Sequence, residues 1–440
     1  MLALILSCGG SPEPLIFSIK NLKPDYIYFL CSNDSKNEVS DIIEKSDFSK
    51  EKYSIKIVND YESLDDCFAK SREIIKELEK DYDNIHIDFT GGTKPMVTGL
   101  VLAAIGEECS YSYVGTEDLE GRDKNGLGIV QDGFEKIKEQ KDPYDIFAVM
   151  EFEKGMDFFN RYQFGAAYTN FDEASQKLES ESLKELTYLY LNFVEVYSKW
   201  DKFYNKTDDG RILISKFIKI RNNINNSSNI QNYLNDNYPN FISQINENIE
   251  FLRLKLSRKG HIKPGDIPYY LADLLNNAHR RIEEDKYDDA VARLYRSIEL
   301  IAQLKLCDYG VIDENILFSN SEFKINKLSL SNLENIEANE FVNKCSSYHK
   351  SGKNFPLASK NSYKLLSKFG CELASEYLDD DDIDNNIKKR NSSILAHGLK
   401  PIDETKANEL YSQVFEYAKK AFPEVEKYME MAKFPKFIND

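Results

Sequence analysis

Short apolar runs alternate with helical stretches through residues 1 to about 140, and this alternation ends at Asp142-Pro143. Runs of this length predict strands, and the periodic stretches between them predict helices. Strands that alternate with helices form a parallel sheet covered by helices on both faces, so an α/β, Rossmann-like domain is expected. The predicted strands are Leu2–Ser7, Tyr26–Cys31, Tyr53–Val58, Ile85–Phe89 and Tyr111–Val114, and the predicted helices are Asn37–Lys45, Tyr61–Lys80 and Lys94–Ile105.

Three loops follow predicted strands and should therefore lie on the same edge of the sheet. They are Ser7–Pro14, Ser32–Lys36 and Thr90–Lys94. In open α/β sheets, ligands bind beyond the carboxyl ends of the strands, near the point where the strand order reverses. The sequence therefore predicts a ligand site at this edge.

The loop Thr90-Gly91-Gly92-Thr93 leads from a predicted strand into a helix that starts at Lys94. Paired glycines let the backbone approach a ligand closely, and the free amides of a helix start attract anions. Two hydroxyls and the Lys94 ammonium add to this preference. The loop has neither Walker nor Gly-x-Gly-x-x-Gly spacing. It predicts a phosphate-binding turn, with a tight turn capped by Thr93 as the structural alternative.

A second glycine pair, Gly9-Gly10, precedes Ser11 in the loop after the first strand. Two glycine-rich loops on one edge make a wider site than a single phosphate needs. Asn33, after the second strand, is expected to border the same site, and an Asx turn is the alternative there.

After Asp142-Pro143 the strand signals stop, and residues 145–255 carry helical periodicity. Ser257–Gly265 combines Gly, Pro and basic residues, which predicts a linker. From about residue 267 to 440 the chain is predicted to be helical again, because apolar residues recur at helical spacing. The two clearest stripes are Val291, Leu294, Tyr295, Ile298 and Ala302, and Leu410, Val414, Tyr417, Ala418 and Ala421.

Arg390 and His397 stand seven residues apart in this late helical part. On one helix they share a face, two turns apart. A guanidinium clamps phosphate and an imidazole moves protons near neutral pH, which suits attack of an RNA 2′-OH on the adjacent phosphate. The two groups reach one bond only if the helix packs against a symmetric copy. Asn391 is a candidate for orienting His397 or the phosphate, and the alternative for it is an amide on the helix surface. For the motif as a whole, the alternative is an Arg and a His that merely share a face.

The composition limits the classes of function. A net charge of −17 argues against a broad basic face for nucleic acid, so any RNA contact is expected to be local. The seven cysteines are scattered and the five histidines show no ligand spacing, which predicts reduced thiols and no metal site. No apolar run approaches the ~18 residues of a membrane helix, so a cytoplasmic protein is expected.

The late motif resembles the active-centre signature of HEPN ribonucleases. Arg390-Asn391 is followed by five residues and then His397-Gly398, and the family places four to six residues between the Arg and the His, against six here. Ala290–Leu304 also resembles an early HEPN helix, with Arg293, Arg296 and Glu299 at or near its polar face.

The front of the chain resembles a CARF domain, through the loops Asp88–Met96 and Gly9–Pro14. A CARF domain followed by a HEPN domain is the layout of the standalone type III CRISPR accessory ribonucleases. The resemblance implies a CARF ligand-sensing domain at 1–141, an all-α middle segment at 142–258 and an all-α HEPN domain at 259–440.

The resemblance also implies a function. The activator is a cyclic oligoadenylate, tetra- or hexa-adenylate, bound by Gly9, Gly10, Ser11, Asn33, Thr90, Gly91, Gly92, Thr93 and Lys94. Dimerisation through both domains brings Arg390, Asn391 and His397 of two protomers into one site that cuts single-stranded RNA without metal, leaving a 2′,3′-cyclic phosphate and a 5′-OH. No stable DNA binding is expected.

Some family members also degrade their activator slowly, and Thr90, Thr93 and Ser11 are the candidates for such a ring nuclease activity here. The main alternative is a non-catalytic sensor that binds a cyclic nucleotide and signals to a partner protein. A second alternative is a toxin-like ribonuclease whose front domain has lost its ligand.

Overall fold

The structure is a computed structural model that describes residues 1–49, 51–117, 121–122, 130–131, 133–178, 180–203, 207–256, 267–311, 325–326, 335–346, 354–355, 357–383, 385–386 and 399–438. The described chain divides into two compact units. The α/β unit comprises Met1–Phe152 and Ala174–Lys184, and the helical unit comprises Glu153–Glu173 and Glu185–Asp440.

The α/β unit contains a six-stranded sheet, and its first five strands confirm the predicted strands, with the bounds of the first two unchanged and those of the other three shifted by one or two residues. The strands are β1 Leu2–Ser7, β2 Tyr26–Cys31, β3 Tyr53–Ile57, β4 Asn84–Asp88, β5 Cys109–Gly115 and β6 Lys136–Gln140. Their order is β3-β2-β1-β4-β5-β6, and β1 to β5 are all parallel. The predicted α/β fold class is therefore confirmed.

The sixth strand, β6, was not expected from the sequence. It pairs antiparallel with β5, from Gly115 opposite Lys136 to Tyr111 opposite Gln140. Its sequence is Lys-Ile-Lys-Glu-Gln, in which Ile137 is the single apolar residue. Charged side chains are typical of an edge strand, because they discourage pairing with further chains. The sheet is consequently mixed, with one antiparallel edge strand added to the predicted parallel core.

Helices cover both faces of the sheet, as expected. They are α1 Glu13–Leu22, α2 Val39–Lys45, α3 Leu64–Leu78 and α4 Lys94–Ala103. Successive residues of a strand point to opposite faces. Ile5 of β1 accordingly belongs to the core cluster with residues of α3 and α4, such as Ile74 and Leu100, whereas Leu6 belongs to the cluster with residues of α1, such as Leu15.

After the sheet the described chain is mainly helical, as predicted. The helices are α5 Pro143–Ile146, α6 Val149–Asn160, α7 Phe164–Lys177, α8 Glu181–Asp201, α9 Thr207–Asn226, α10 Ser228–Asn237, α11 Phe241–Leu256, α12 Ile267–Glu283, α13 Tyr287–Asp308, α14 Ile336–Ser346, α15 Ser359–Lys368, α16 Glu372–Asp379, α17 Glu404–Ala421 and α18 Val425–Met431. A short antiparallel pair, β7 Ile325–Asn326 with β8 Asn354–Phe355, interrupts them. Among the described helices none is both long and apolar enough to cross a membrane.

Both predicted apolar stripes are confirmed as packed faces. Leu294 and Ile298 of α13 are buried, as are Leu410 and Val414 of α17, and the two helices pack against each other. The predicted linker, Ser257–Gly265, lies outside the described residues. Helices on both sides of it belong to the same compact unit. The boundary between a middle segment at 142–258 and a domain at 259–440 remains a prediction.

Aromatic rings form the core of the helical unit, and the end of the described chain inserts into it. Phe434 lies 5.0 Å from Trp200 between ring centroids, and Phe437 stacks on Phe241 at 4.7 Å. The buried Asn248 side chain donates to the carbonyls of Met431 and Lys433, at 2.8 and 2.7 Å. Residues 433–438 are thereby fixed as one wall of this unit.

Candidate functional site

The two glycine-rich loops meet at the point where the order of the sheet reverses. The chain runs outward from β1 to β2 and β3, and then returns to the other side of β1 with β4. Leu6 of β1 is paired with Asp88 of β4, so both strands end at the same level. The loops that follow them are therefore neighbours, as the sequence predicted, at the position where such sheets bind ligands.

The glycines of these loops are needed for packing between the loops. A Cβ on Gly9 would lie 2.6 Å from the backbone nitrogen of Gly92, and a Cβ on Gly91 would lie 2.5 Å from the carbonyl oxygen of Ser7. Gly92 also has a φ of +94°, which side-chain-bearing residues rarely adopt. The hydroxyl of Ser7 donates to the carbonyl of Gly91. The two loops thus form one interlocked backbone surface.

The buried side chain of Asp88 stabilises this loop surface through hydrogen bonds. Its buried carboxylate accepts hydrogen bonds from Ser18 at 2.6 Å, from Ser112 at 3.2 Å and from the backbone amide of Thr90 at 2.9 Å. It also accepts one from the Thr90 hydroxyl. Sequence analysis did not select Asp88 as a site residue, although its position between a strand and the Thr-Gly-Gly turn was a usable signal. A carboxylate with these donors fixes the start of the loop.

The hydroxyls of both loop threonines have partners within the α/β unit. Thr90 Oγ1 donates to Asp88 and accepts from the amide of Val114 at 2.7 Å. Thr93 caps α4 by accepting from the amide of Met96 at 3.4 Å, and it donates to the carbonyl of Tyr61 at 2.8 Å. Thr93 is therefore the N-cap of α4, as the structural alternative for this turn expected. These contacts make the two threonines the supports of the loop.

Backbone amides and Lys94 remain available to a ligand. Within the described part of the chain, the amides of Gly10, Gly92 and Lys94 donate no hydrogen bond. Gly10 faces open space, and Lys94 is exposed at the first position of α4. Free amides at a helix start, beside a positive dipole end and an ammonium group, suit a phosphate. Ser11 is partly exposed and Asn33 is exposed after β2, so both are accessible on this edge.

His86 is a buried residue of β4. Its Nδ1 is 2.7 Å from the hydroxyl of Ser110, and its Nε2 is 2.8 Å from that of Ser112. Burial lowers the pKa of His86, while the charges of Asp88 and Glu139 act in the opposite direction. The imidazole therefore links β4 to β5 through neutral hydrogen bonds.

The predicted catalytic residues Arg390, Asn391 and His397 lie outside the described residues. The helix that resembles an early HEPN helix is described, as α13. Its Arg293 donates to the side chain of Asn277 and pairs with Asp289 at 2.9 Å, and Arg296 pairs with Glu299 at 3.1 Å. Arg293 therefore links α13 to α12, whereas the pair of Arg296 with Glu299 lies within α13.

The late part of the chain is similar to a known family of domains. Residues 259–421 match the family model of the Csm6 HEPN domain. A search of curated proteins finds no match.

The solved structures that are similar to this chain include the following three. Enterococcus italicus Csm6 bound to cyclic hexa-2′-fluoro-hexa-dAMP is 13% identical, covers 98% of both chains and has a TM-score of 0.48. Can2 from Sulfobacillus thermosulfidooxidans in complex with cyclic tetra-adenylate is 12% identical, over 46% of this chain and 69% of that one, with a TM-score of 0.24. A type III CRISPR defence DNA nuclease activated by cyclic oligoadenylate is 12% identical, over 44% of this chain and 34% of that one, also with a TM-score of 0.24.

Proposed function

We propose that this chain is an endoribonuclease switched on by a cyclic oligoadenylate, because residues 259–421 match the family model of the Csm6 HEPN domain, in agreement with the predicted resemblance to HEPN ribonucleases. The match to the HEPN family is the observation that carries the proposal. The α/β unit in front of it contributes the ligand-binding edge.

The proposed reaction is metal-independent cleavage of single-stranded RNA at Arg390 and His397. His397 moves a proton as the 2′-OH attacks the adjacent phosphate, and Arg390 stabilises the charge that develops on that phosphate. Asn391 orients His397 or the phosphate. The products are a 2′,3′-cyclic phosphate and a 5′-OH. We expect Arg390 and His397 to lie two turns apart on one helix, so two protomers are required to bring both groups to one bond.

The proposed activator binds on the loops after β1 and β4. The amides of Gly10, Gly92 and Lys94 and the ammonium of Lys94 supply donors for its phosphates. Gly9 and Gly91 hold the loops together, Thr90 and Thr93 support them, and Ser11 and Asn33 border the site. Tetra- and hexa-adenylate rings are the candidates, since a cyclic hexa-adenylate analogue and cyclic tetra-adenylate are the ligands of Enterococcus Csm6 and of Can2.

We also propose the division into a ligand-sensing domain at 1–141, a helical middle segment at 142–258 and a HEPN domain at 259–440. Homodimerisation through the first and last of these carries the signal to the RNA site. Slow hydrolysis of the activator at Ser11, Thr90 and Thr93 is a secondary expectation. Both threonine hydroxyls already have hydrogen-bond partners in the α/β unit. We therefore expect them to contribute to this hydrolysis by positioning the attacking 2′-OH.

The direct test is cleavage of a fluorescent single-stranded RNA by the purified chain, in chelator and without added metal. Cyclic adenylates of three to six units are compared. One ring size should switch cleavage on, and mass spectrometry of the fragments should find cyclic phosphate ends. His397→Ala should abolish cleavage while binding of the activator persists.

Lys94→Ala should abolish activation, because an ammonium at the helix start is lost. Its matched control is Lys45→Ala, which removes an equally exposed lysine from the last turn of α2. If one cyclic adenylate binds but none of them activates RNA cleavage, the non-catalytic sensor is favoured. Cleavage that ignores all rings would favour the toxin-like ribonuclease.

A further inference from the structure

A cavity of about 630 Å³ opens in the helical unit, away from every motif discussed so far. Its walls come from the turn before α11, from the first turn of α11, from α12 and from residues 433–438, together with Tyr162. Cavities of this size commonly hold small molecules. None of its residues belongs to the glycine-rich loops or to the segment from Arg390 to His397.

Arg280 is the buried cation of this cavity. Its side chain is 4% exposed, and its Nε donates to Asp201 at 2.8 Å. The guanidinium lies 3.9 Å above the ring of Phe434, which lines the same cavity. Within the described residues its buried Nη2 has no hydrogen-bond partner. A buried guanidinium donor left without an acceptor is costly, so a ligand that supplies an acceptor would be bound favourably.

The charge of the lining favours an anion. The charged residues are Arg280, Lys433 and Lys436 against the single carboxylate of Glu283. Cations outnumber carboxylates among these lining residues in a chain whose net charge is −17, and Lys433 pairs with Glu430, outside the lining, at 2.6 Å. Glu283 is itself occupied, since it accepts from Lys436 at 2.7 Å and pairs with His279 at 2.9 Å.

The remaining lining suits a flat ring. The side chains of Tyr162, Tyr238, Phe241 and Phe434 supply aromatic surface, and Gln244 supplies an amide at the rim. Aromatic faces stack on bases, and amides hydrogen-bond to base edges. A phosphate that accepts from Arg280 and a base that stacks on these rings occur together in one class of ligand, the phosphorylated nucleotides.

We propose that this cavity binds a phosphorylated nucleotide, with its phosphate at Arg280 and Lys436 and its base against the aromatic wall. The nucleotide is either a free nucleoside monophosphate or the phosphorylated end of an RNA strand. Both share the chemistry that the cavity recognises.

The test is a titration of the full chain with AMP, UMP, adenosine and inorganic phosphate. Trp200 is the chain's single tryptophan and lies 5.0 Å from Phe434, so its fluorescence reports on the cavity wall. Calorimetry provides an independent readout. Both monophosphates should bind, and adenosine and phosphate should each bind at least about tenfold more weakly, because each lacks one half of the recognised group.

Lys436→Ala should weaken binding of the monophosphates about tenfold, the usual effect of one lost hydrogen bond to a charged group. The control is Lys420→Ala, which removes an ion pair with Glu376 at 2.5 Å outside the cavity and should leave the affinity unchanged. Arg280→Lys, checked for folding by circular dichroism, should also weaken binding. Lys94→Ala should not, which separates this site from the proposed activator site.

Titration with a five-nucleotide RNA, with and without a 5′-phosphate, distinguishes a free nucleotide from an RNA end as the ligand. Binding that requires the 5′-phosphate points to an RNA end, and binding of mononucleotides alone points to a free nucleotide. The proposal is overturned if no monophosphate produces heat or a Trp200 signal at millimolar concentration, or if Lys436→Ala and Lys420→Ala bind equally well.

Discussion

The hydroxyl of Thr90 accepts a hydrogen bond from the backbone amide of Val114 at 2.7 Å. It thereby ties the loop after β4 to the neighbouring strand β5. The same hydroxyl donates to Asp88, so the loop, the end of its own strand and the next strand share one polar link. A displacement of this loop would be passed on directly to β5.

Thr90→Val should break this link while it keeps the shape of the side chain. The amide of Val114 then loses its acceptor, and its hydrogen exchange should be about fivefold faster, because one hydrogen bond is worth roughly 1 kcal/mol. Thr90→Ser retains the hydroxyl and should leave the exchange unchanged. Equal exchange in the two variants would show that the link does not constrain the loop.

Gly9→Ala should destabilise the contact between the two loops. The added Cβ would lie 2.6 Å from the nitrogen of Gly92, and backbone atoms cannot move aside cheaply. A cost of about 1–3 kcal/mol is expected in urea unfolding of the α/β unit. Gly10→Ala is the matched control, because its Cβ would meet nothing within 4 Å. Comparable stability of the two variants would contradict the interlocked arrangement.

A second pair of glycines tests the packing of the helical unit. A Cβ on Gly155 of α6 would lie 2.6 Å from the ring of Phe171 on α7, so Gly155→Ala should cost about 1–3 kcal/mol in free energy of unfolding. Gly165→Ala on α7 meets no atom within 4 Å and should be neutral or stabilise by up to about 1 kcal/mol. Thermal and denaturant unfolding measure both, and a Gly155→Ala chain as stable as the parent would refute the packing.

Acid should weaken the helical unit through Glu283. Burial raises the pKa of this carboxyl, but hydrogen bonds from His279 and Lys436 outweigh that effect and lower it to about 2. A lowered pKa in the folded state contributes stability that is complete above the unfolded value, about 4.5, and is lost as pH falls towards 2.

Unfolding midpoints across that acid range measure this contribution. The Glu283→Gln variant should lose the part of the decline that Glu283 causes. Glu337→Gln removes the carboxylate of a largely exposed pair with Lys368 and should change the profile little. A parent and a Glu283→Gln variant with parallel acid profiles would exclude the proposed role of Glu283.

Local sequence patterns were sufficient to predict most of the strands and helices of the α/β unit. Buried strands of five to seven residues, the apolar stripes on α13 and α17 and the Thr93 cap all follow from neighbouring residues, because strand, helix and cap chemistry act over a few positions. The prediction that both glycine-rich loops lie on one edge follows from strand–helix alternation alone.

Contacts between residues that are distant in sequence determined the features that local patterns did not predict. The edge strand β6 has one apolar residue, so its position depends on the free edge of β5 rather than on its own pattern. Asp88 gains its role from Ser18 and Ser112, and Gly9 from Gly92, across long stretches of sequence. The cavity at Arg280 likewise joins residues 162, 280 and 436. Periodicity records which face of an element is apolar, whereas only tertiary packing determines which side chains meet and which donors are left unpaired.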